Sequence, residues 1–283
     1  MSSTSLPASP RPARVAARTT HALPWALHPD VRTVWLSAVT RGAAGVFLDY
    51  DGTLTPIADR PEQATLSAST RARLARLASR CPVTIVTGRD VAVVRDFVQL
   101  DEIGYAGCHG LDIEGPAGSG LRYEAAGTVL PALDGAEADL RGGLSRIAGA
   151  LVERKRYSVS THYRLVGRSD TRRVEEVVAA VARRYPELRR ERGKKVFELR
   201  PDVAWDKGSA VAWLLAALSL DPGAATYIGD DVTDEHAFEL LGGSGVPIVV
   251  EHGDRPTSAR YRVRDPREVT EVVDLLIEAL ASS

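Results

Sequence analysis

The chain has 283 residues, a length that suggests about two domains. Hydrophobic residues make up 44% and charged residues 26%, which is ordinary for a globular protein and excludes a disordered or collagen-like chain. Lysine and arginine total 36 against 37 acidic residues, so a net charge of -1 provides no field that would hold nucleic acid, and we expect no nucleic-acid partner.

Hydropathy and the two cysteines indicate the cellular compartment in which the protein works. No stretch approaches the roughly 18 apolar residues that cross a bilayer, and the N-terminus lacks the apolar core of a secretory signal. We therefore expect a cytoplasmic protein with no membrane partner. Cys81 and Cys108 lack a metal-ligand spacing and are predicted to be small buried residues of a reduced compartment.

Residues 1–40 are predicted to form a mobile tail. The first 29 hold three arginines, no acidic residue and many serines, prolines and alanines, so they bury too little apolar surface to offset the entropy of ordering. An arginine-rich, acid-free composition also fits a transit peptide, although no amphipathic period is clear. The mobile tail is the simpler interpretation.

From Gly45 onwards, buried strands and helices alternate, which predicts right-handed crossovers and a doubly wound, Rossmann-like parallel sheet. In such a sheet, ligands bind beyond the carboxyl ends of the strands. The predicted elements before the middle of the chain are a strand in GVFLDYDGTL, a helix over 67–80, a strand at 83–89, a helix over 91–98 and a strand at 103–110. The alternation resumes at Lys207 with a helix to Leu218, a strand at 225–231, a helix over 234–241, a strand at 246–250 and a helix over 267–280.

Between these halves the alternation breaks, which indicates an inserted α+β cap domain. The predicted elements there are a hairpin around a Gly-rich turn, a helix near 131–150, a strand at 158–166, a helix with four valines in register and a strand at 195–201. We place the core at 41–110 and 201–283 and the cap at 111–200. The cap segment carries 18 basic and 13 acidic side chains, net +5. A basic cap would suit an anionic substrate, although solvated surface charge explains the difference about as well.

Four separated polar pieces are predicted to meet at the carboxyl ends of core strands. They lie at 49–53, 87–89, 207–208 and 229–235. Each is a weak signal alone, because an aspartate at a strand end is often a turn or helix cap and a lone lysine usually lies at the surface. In this order and strand context, the four pieces together indicate one site.

These residue types suit the hydrolysis of a phosphate monoester. A carboxylate nucleophile, Asp49, would divide the slow reaction into two steps through an aspartyl-phosphate. Mg²⁺ would offset the repulsion between the two anions, held by side-chain oxygens of Asp49 and Asp230. Thr87 and Lys207 would donate to the phosphoryl oxygens, and Asp51 would protonate the leaving oxygen and then activate water.

The pieces DYDGT, TGR, KG and GDDVTDE resemble, in order and spacing, the four motifs of the haloacid dehalogenase superfamily of phosphatases. That resemblance implies a nucleophilic first aspartate, here Asp49. It also implies an acid/base second aspartate, here Asp51, whose backbone carbonyl contacts Mg²⁺, and a cap inserted over the site. The predicted metal ligands are Asp49, Asp51, Asp230 and Asp231.

Further segments are similar to trehalose-6-phosphate phosphatases, and together they cover nearly everything after residue 44. They are FLDYDGTLTPI, GCHG at 107–110, VERKRYSVSTHYR at 152–164, FELRP at 197–201 and GDDVTDE. This resemblance implies trehalose 6-phosphate as the small-molecule substrate and a functional link to a trehalose-6-phosphate synthase. A phosphatase for sucrose phosphate or mannosylglycerate phosphate, or a phosphomutase of the same fold, stays open because the four motifs do not separate these enzymes.

The predicted substrate-binding residues are Gly88, Arg89, His109, Glu153, Lys155, Arg164 and Glu198. A disaccharide offers many hydroxyls, so its recognition needs side chains that donate and accept, as Glu153, Lys155 and Glu198 can. Glu198 lies between Phe197 and Leu199 on a predicted strand, so its side chain points to the opposite face, toward the cleft or toward solvent.

Four of the six histidines receive three different predictions. His109, at a strand end, either contacts substrate or satisfies a turn, and the resemblance favours contact. His162 and Arg164 would share one face of a strand, where packing and binding fit equally. His236 and His252 are predicted to be structural.

Two other classes of protein are excluded by the residues. A two-component receiver also carries a phosphorylated strand-end aspartate, but it has about 120 residues, no cap and no aspartate two positions after the first. A non-catalytic binding domain derived from such an enzyme would usually have lost the nucleophile or the acid, and Asp49 and Asp51 are both present. The sequence therefore predicts an enzyme, a phosphoric monoester hydrolase.

Overall fold

The computed structural model describes residues 18–58 and 60–282 of the chain. The helices in these residues are α1 (Pro29–Val39), α2 (Ala68–Ala78), α3 (Val91–Val98), α4 (Leu130–Leu144), α5 (Thr171–Arg184), α6 (Lys207–Ala217), α7 (Glu235–Leu241) and α8 (Pro266–Ala281). The strands are β1 (Arg18–Thr19), β2 (Gly45–Leu48), β3 (Val83–Val86), β4 (Gly104–Gly107), β5 (Asp112–Glu114), β6 (Arg122–Glu124), β7 (Leu151–Lys155), β8 (Ser158–His162), β9 (Leu188–Gly193), β10 (Val196–Pro201), β11 (Ala225–Gly229), β12 (Val246–Val250), β13 (Pro256–Thr257) and β14 (Tyr261–Val263).

The core is an eight-stranded sheet in the order β14-β12-β11-β2-β3-β4-β5-β6. The six strands from β14 to β4 are parallel, while β5 and β6 run antiparallel to their neighbours. Strands β2, β3, β11 and β12 are buried along their whole length because helices cover both faces of the sheet. Helices α1, α2, α3 and α8 pack on one face, and α6 and α7 pack on the other. This architecture confirms the predicted doubly wound core.

The cap is a four-stranded antiparallel sheet in the order β7-β8-β10-β9. Helices α4 and α5 cover one of its faces, where Phe197 and Leu199 are buried in a shared apolar cluster. The opposite face, called the open face below, carries Glu153, Ser160 and Glu198 side by side across three strands. Alternation along each strand thus separates a packed face from a polar one.

The predicted cap boundary at residue 111 is wrong. Strand β5 pairs with the core strand β4, with Tyr105 opposite Glu114, and β6 continues the same sheet. The predicted hairpin exists, but it closes an edge of the core instead of starting the cap, whose own elements begin with α4. A sequence pattern that marks a hairpin does not show which sheet the hairpin joins.

The predicted mobile tail is also wrong for residues 18–40. Strand β1 pairs with β13, and Trp35 and Val39 of α1 are fully buried in the core. The prediction rested on the average composition of the segment, which does not reveal that a few large apolar residues, such as Trp35, are buried in the core. Residues 1–17, which include the rest of the predicted tail, lie outside the described residues.

Two cap strands, β7 and β9, were not expected from the sequence, and two cap elements are shorter than predicted. The helix near 131–150 ends at Leu144, and the strand at 158–166 ends at His162. Strand β9 is an edge strand of sequence LRRERG, in which Leu188 is the sole apolar side chain. Charged edge strands resist pairing with other chains, and they carry little of the apolar pattern on which strand prediction depends.

Both cysteines are buried free thiols, as predicted. Burial raises the pKa of Cys81 to about 12, so this thiol is inert. Among the described helices, none combines the length and apolar character needed to cross a bilayer.

Candidate active site

The centre of the site lies where the neighbouring parallel strands β2 and β11 end. Asp49 follows β2 and Asp230 follows β11, so both carboxylates emerge at the same edge of the sheet. Lys207, the first residue of α6, is 2% exposed and donates from Nζ to Asp49 Oδ1 at 2.7 Å and to Asp234 Oδ1 at 2.7 Å. Three of the four predicted polar pieces therefore meet through one buried lysine.

Asp234 is the anchor of this arrangement, although the predicted ligand set did not include it. Its Oδ1 accepts from Lys207 Nζ and, at 2.6 Å, from the hydroxyl of Tyr227. Its Oδ2 accepts from the backbone N–H groups of Asp230 at 3.0 Å and Asp231 at 2.9 Å. Four donors thus occupy this carboxylate. The available sequence signal was its place four residues after Asp230, at the start of a helix.

The carboxylates at this centre fit a divalent cation. One oxygen from each of Asp49, Asp230 and Asp234 lies within 4.8 Å of the others. Asp230 Oδ1 is buried and has no hydrogen-bond partner in the described part of the chain. Gly52, at φ 80°, lets the backbone pass so close to Asp230 that a side chain there would collide with its carboxylate. A buried, unpartnered carboxylate oxygen beside a second carboxylate is a hard-oxygen donor set of the kind that Mg²⁺ prefers.

Two of the predicted metal ligands have side chains outside this group. Asp231 is exposed, and its Oδ2 accepts from Thr233 Oγ1 at 3.4 Å, so its carboxylate is used locally. Asp51 forms a bidentate ion pair with Arg89, at 2.7 Å from Nε and 2.6 Å from Nη2. Of the four predicted ligands, Asp49 and Asp230 are the two whose side chains the structure brings together.

Burial dominates the electrostatics of the centre. It raises the pKa of Asp49 well above its usual range, against the opposing charge of Lys207, and it also raises the pKa of Asp230. Burial acts to lower the pKa of Lys207, but the charges of Asp49 and Asp234 outweigh it and raise that pKa, so the lysine stays a cation. One buried cation thus faces three carboxylates, and a second positive charge would stabilise them in the ionised form.

The second predicted piece lines the site beside β3. Thr87 is buried, and its Oγ1 accepts from the backbone N–H of Arg89 at 3.2 Å. Gly88 lies against the ring of His109, where an added Cβ would be 2.9 Å from Cε1. Burial and the charges of Lys207 and Arg200 lower the pKa of His109 to about 4, so this imidazole is neutral at neutral pH.

Arg200 lies on the cap strand β10, and its charge contributes to the lowered pKa of His109. On the same open face, Glu198 accepts from Ser160 Oγ at 3.4 Å, and Glu153 pairs with His162 Nε2 at 2.8 Å.

Lys155 and Arg164, the remaining predicted cap residues, are both exposed. Lys155 lies two positions after Glu153 on β7 and therefore shares its face, whereas Arg164 follows the end of β8. The structure thus gathers Glu153, Lys155 and Glu198 on one face and leaves Arg164 beyond it.

The sequence model of the trehalose-phosphatase family matches residues 47–267, which include the two aspartates of the first motif, the cap and the Asp230 turn. The chain belongs to the trehalose-phosphatase family. A trehalose-phosphate phosphatase of Mycobacterium marinum is 42% identical over 243 residues, which cover 84% of this chain and 62% of that protein. The chain therefore spans about three fifths of the length of this relative.

Solved structures agree with the family assignment. A trehalose-6-phosphate phosphatase of Aspergillus fumigatus superposes with a TM-score of 0.64 at 27% identity, covering 93% of this chain and 100% of that chain. A structure described as a trehalose-6-phosphate phosphatase related protein gives a TM-score of 0.66 at 29% identity, covering 84% of this chain and 99% of that chain. The family fold thus includes both the core and the cap.

One loop of this trehalose-phosphatase fold holds two residues, His252 and Arg255, to which the sequence analysis gave no role in the site. His252, predicted to be structural, lies with Nε2 at 3.3 Å from Asp230 Oδ2. Arg255 donates from Nη2 to the backbone oxygen of Asp230 at 2.9 Å. His236, also predicted to be structural, lies with Nε2 at 3.9 Å from Asp206 Oδ2. His252 and Arg255 lie in no recognisable motif, so only the tertiary structure shows that they approach the site.

Proposed function

We propose that this protein hydrolyses trehalose 6-phosphate to trehalose and phosphate, as a cytoplasmic enzyme of trehalose biosynthesis. One observation carries the reaction class: the buried Lys207 bridges Asp49 and Asp234 at the ends of two neighbouring strands. Family membership supports the substrate. The proposal implies a functional link to a synthase that makes trehalose 6-phosphate.

Asp49 is the proposed nucleophile. Lys207 holds its Oδ1, so Oδ2 is the oxygen that forms the new bond to phosphorus as the bond to the sugar oxygen breaks. Asp51 gives a proton to the leaving sugar oxygen and then takes one from the water that cleaves the aspartyl-phosphate, which regenerates Asp49 and releases phosphate. Thr87 and Lys207 donate to the phosphoryl oxygens as negative charge shifts onto them.

Asp49 and Asp230 are the side chains proposed to hold Mg²⁺, together with the backbone carbonyl of Asp51. When bound, the ion would offset the charge of the carboxylates and of the substrate phosphate. Asp234, with all its acceptor positions occupied, instead fixes Lys207 and the Asp230 turn. Asp231 is not retained in this set, because its carboxylate is exposed and accepts from Thr233 Oγ1.

The cap is proposed to bind the sugar. Glu153, Lys155 and Glu198 present charged groups on the open face, where they can donate to or accept from the hydroxyls of a disaccharide. His109 is neutral and can both donate and accept at the floor of the cleft. Gly88 and Arg89 border the phosphate position, and Arg164 would contact substrate only at the rim of the cleft.

The test is phosphate release from trehalose 6-phosphate, sucrose 6-phosphate, mannosylglycerate phosphate and glucose 6-phosphate, with and without Mg²⁺. We expect turnover of trehalose 6-phosphate to exceed the others and to require the metal. Asp49→Asn is the control and should retain the fold by circular dichroism with under about one per cent of the activity. Equal turnover of all the esters would refute the substrate assignment but leave the reaction class standing.

A further inference from the structure

We propose that Arg255 is a positioning residue for the metal ligand Asp230, and that the N-terminal segment 18–21 braces it. The inference rests on the proposed metal site. Arg255 lies in the loop between β12 and β13, outside all four motifs. Its guanidinium donates to the backbone oxygen of Asp230.

The guanidinium of Arg255 holds the turn at two points. Nη2 donates to the backbone oxygen of Asp230 at 2.9 Å, and Nη1 donates to Glu235 Oε1 at 3.1 Å. Glu235 is the first residue of α7, and its Oε2 accepts from the backbone N–H of Ser258 at 2.7 Å. The planar fork of an arginine can bridge two such acceptors at a fixed separation. Both ends of the turn 230–235 are therefore held to the same loop.

The backbone of Asp230 is fixed on both sides as a result. Its N–H donates to Asp234 Oδ2 at 3.0 Å, and its oxygen accepts from Arg255. Its side chain, by contrast, has a buried Oδ1 with no hydrogen-bond partner in the described residues. The fixed backbone thus sets where the carboxylate begins, and His252 Nε2, at 3.3 Å from Oδ2, is the side-chain contact that helps to orient the free oxygen. Loss of a group that orients a metal ligand commonly weakens metal affinity by about 10- to 100-fold.

The N-terminal segment closes over this loop. Thr20 is fully buried, and both its N–H, at 3.0 Å, and its Oγ1, at 3.1 Å, donate to the backbone oxygen of Arg255. The N–H of His21 donates to Asp254 Oδ1 at 3.2 Å, and β1 pairs with β13 just beyond. Contacts therefore run without a gap from Thr20 through Arg255 to Asp230.

The competing interpretation is that Arg255 only stabilises the loop, since its ion pair with Glu235 would do so in any protein. Metal affinity separates the two roles. A purely structural arginine would lower the melting temperature of the metal-free protein and leave the dissociation constant for Mg²⁺ unchanged in the folded population. A positioning arginine changes that constant itself.

The experiment measures Mg²⁺ binding to the full chain by isothermal titration calorimetry, at a temperature where circular dichroism shows each variant folded. Arg255→Ala should weaken binding about 10- to 100-fold. The matched control is Arg260→Ala, in the next loop, between β13 and β14, whose Nη1 donates to the backbone oxygen of Gly245 at 3.0 Å. It should change the constant by no more than about twofold.

Thr20→Val tests the brace while leaving the Arg255 side chain intact. Valine keeps the shape of threonine and loses the Oγ1 donor, while the backbone N–H of residue 20 still donates to the Arg255 oxygen, so Mg²⁺ binding should weaken roughly two- to tenfold. Unchanged affinity in both Arg255→Ala and Thr20→Val would overturn the proposal, and unchanged affinity in Thr20→Val alone would overturn the brace. Phosphate release by the wild type separates these results from failure of the proposed function: an active, Mg²⁺-binding wild type with unaffected variants refutes only the inference drawn from Arg255.

Discussion

Arg89 donates to both carboxylate oxygens of Asp51, so this pair must open before Asp51 can give a proton to the leaving oxygen. A general acid matters most when the leaving oxygen is strongly basic. Asp51→Asn should therefore lower kcat/KM for trehalose 6-phosphate by about 10²- to 10⁴-fold and lower it far less for p-nitrophenyl phosphate, whose leaving group needs no proton. Steady-state kinetics on the two esters provide the measurement.

Asp49→Asn is the matched comparison, because a nucleophile is needed whatever the leaving group. It should abolish turnover of both esters to a similar degree. If Asp51→Asn also reduced both esters equally, Asp51 would be acting through the fold or through Arg89, and its acid/base role would be wrong.

The cap strand β10 has two different faces, one packed in the apolar core of the cap and one polar. Phe197 and Leu199 are buried against α4 and α5, while Glu198 between them lies on the open face and accepts from Ser160. Glu198→Ala should lower kcat/KM for trehalose 6-phosphate roughly ten- to a hundredfold, the equivalent of about 1.5 to 3 kcal/mol for one charged hydrogen bond. The loss for p-nitrophenyl phosphate, which has no sugar hydroxyls, should be much smaller.

Glu176→Ala provides the control for cap charge, since Glu176 lies on α5 and pairs with Arg172 at the surface. It should leave both substrates unaffected. An equal fractional loss on both substrates in Glu198→Ala would show that Glu198 serves cap folding or closure, and its proposed contact with sugar would then be refuted.

The elements that could be predicted from sequence are those with a clear pattern of apolar residues over a few consecutive positions. Strands β2 and β11 are continuous apolar runs ending in aspartates, so both the parallel sheet and the meeting of Asp49 with Asp230 follow from the chain alone. Strand β9 could not be found, because an edge strand of mostly charged residues has no apolar alternation. The hairpin of β5 and β6 was found but assigned to the cap, since pairing partners are a long-range property.

The same distinction holds within the site. Lys207 and Asp49 were predicted to act together because their motifs have known spacing, whereas Asp231 was chosen over Asp234 although both lie in GDDVTDE. The difference depends on a turn that points Asp234 inward, to 0% exposure, and leaves Asp231 outside. Arg255 is held beside Asp230 by tertiary contacts alone, which no local pattern encodes.

At the scale of the whole molecule, the cap and the core are joined by ion pairs as well as by the chain. Arg156, in the turn between β7 and β8, lies with Nε at 2.9 Å from Asp112 Oδ2 and Nη2 at 2.6 Å from Glu124 Oε1, both on the core hairpin. Its backbone N–H donates to Asp90 Oδ2 at 3.4 Å, next to the TGR piece. The carboxylate of Asp112 is 3% exposed, and burial raises its pKa against the charge of Arg156.

Arg156→Met keeps most of the aliphatic side chain but removes the charge that spans the two domains. It leaves a buried carboxylate with a weaker partner, Arg122 at 3.8 Å, so the free energy of unfolding should fall by about 1 to 3 kcal/mol. Because the cap supplies the proposed sugar contacts, a loosened attachment should raise KM for trehalose 6-phosphate and leave kcat/KM for p-nitrophenyl phosphate nearly unchanged.

Arg122→Met is the decisive control for this attachment. Arg122 pairs with Glu114 and Glu124, so it belongs to the same charged network, but all its partners lie in the core hairpin. Loss of Arg122 should lower stability without altering the KM for the sugar ester.

Added salt should raise the KM of the wild type toward that of Arg156→Met, since screening weakens the partly exposed ion pairs of Arg156. If the two arginine variants raised KM equally, the network would be acting through core stability, and the cap would be held by packing instead of by Arg156.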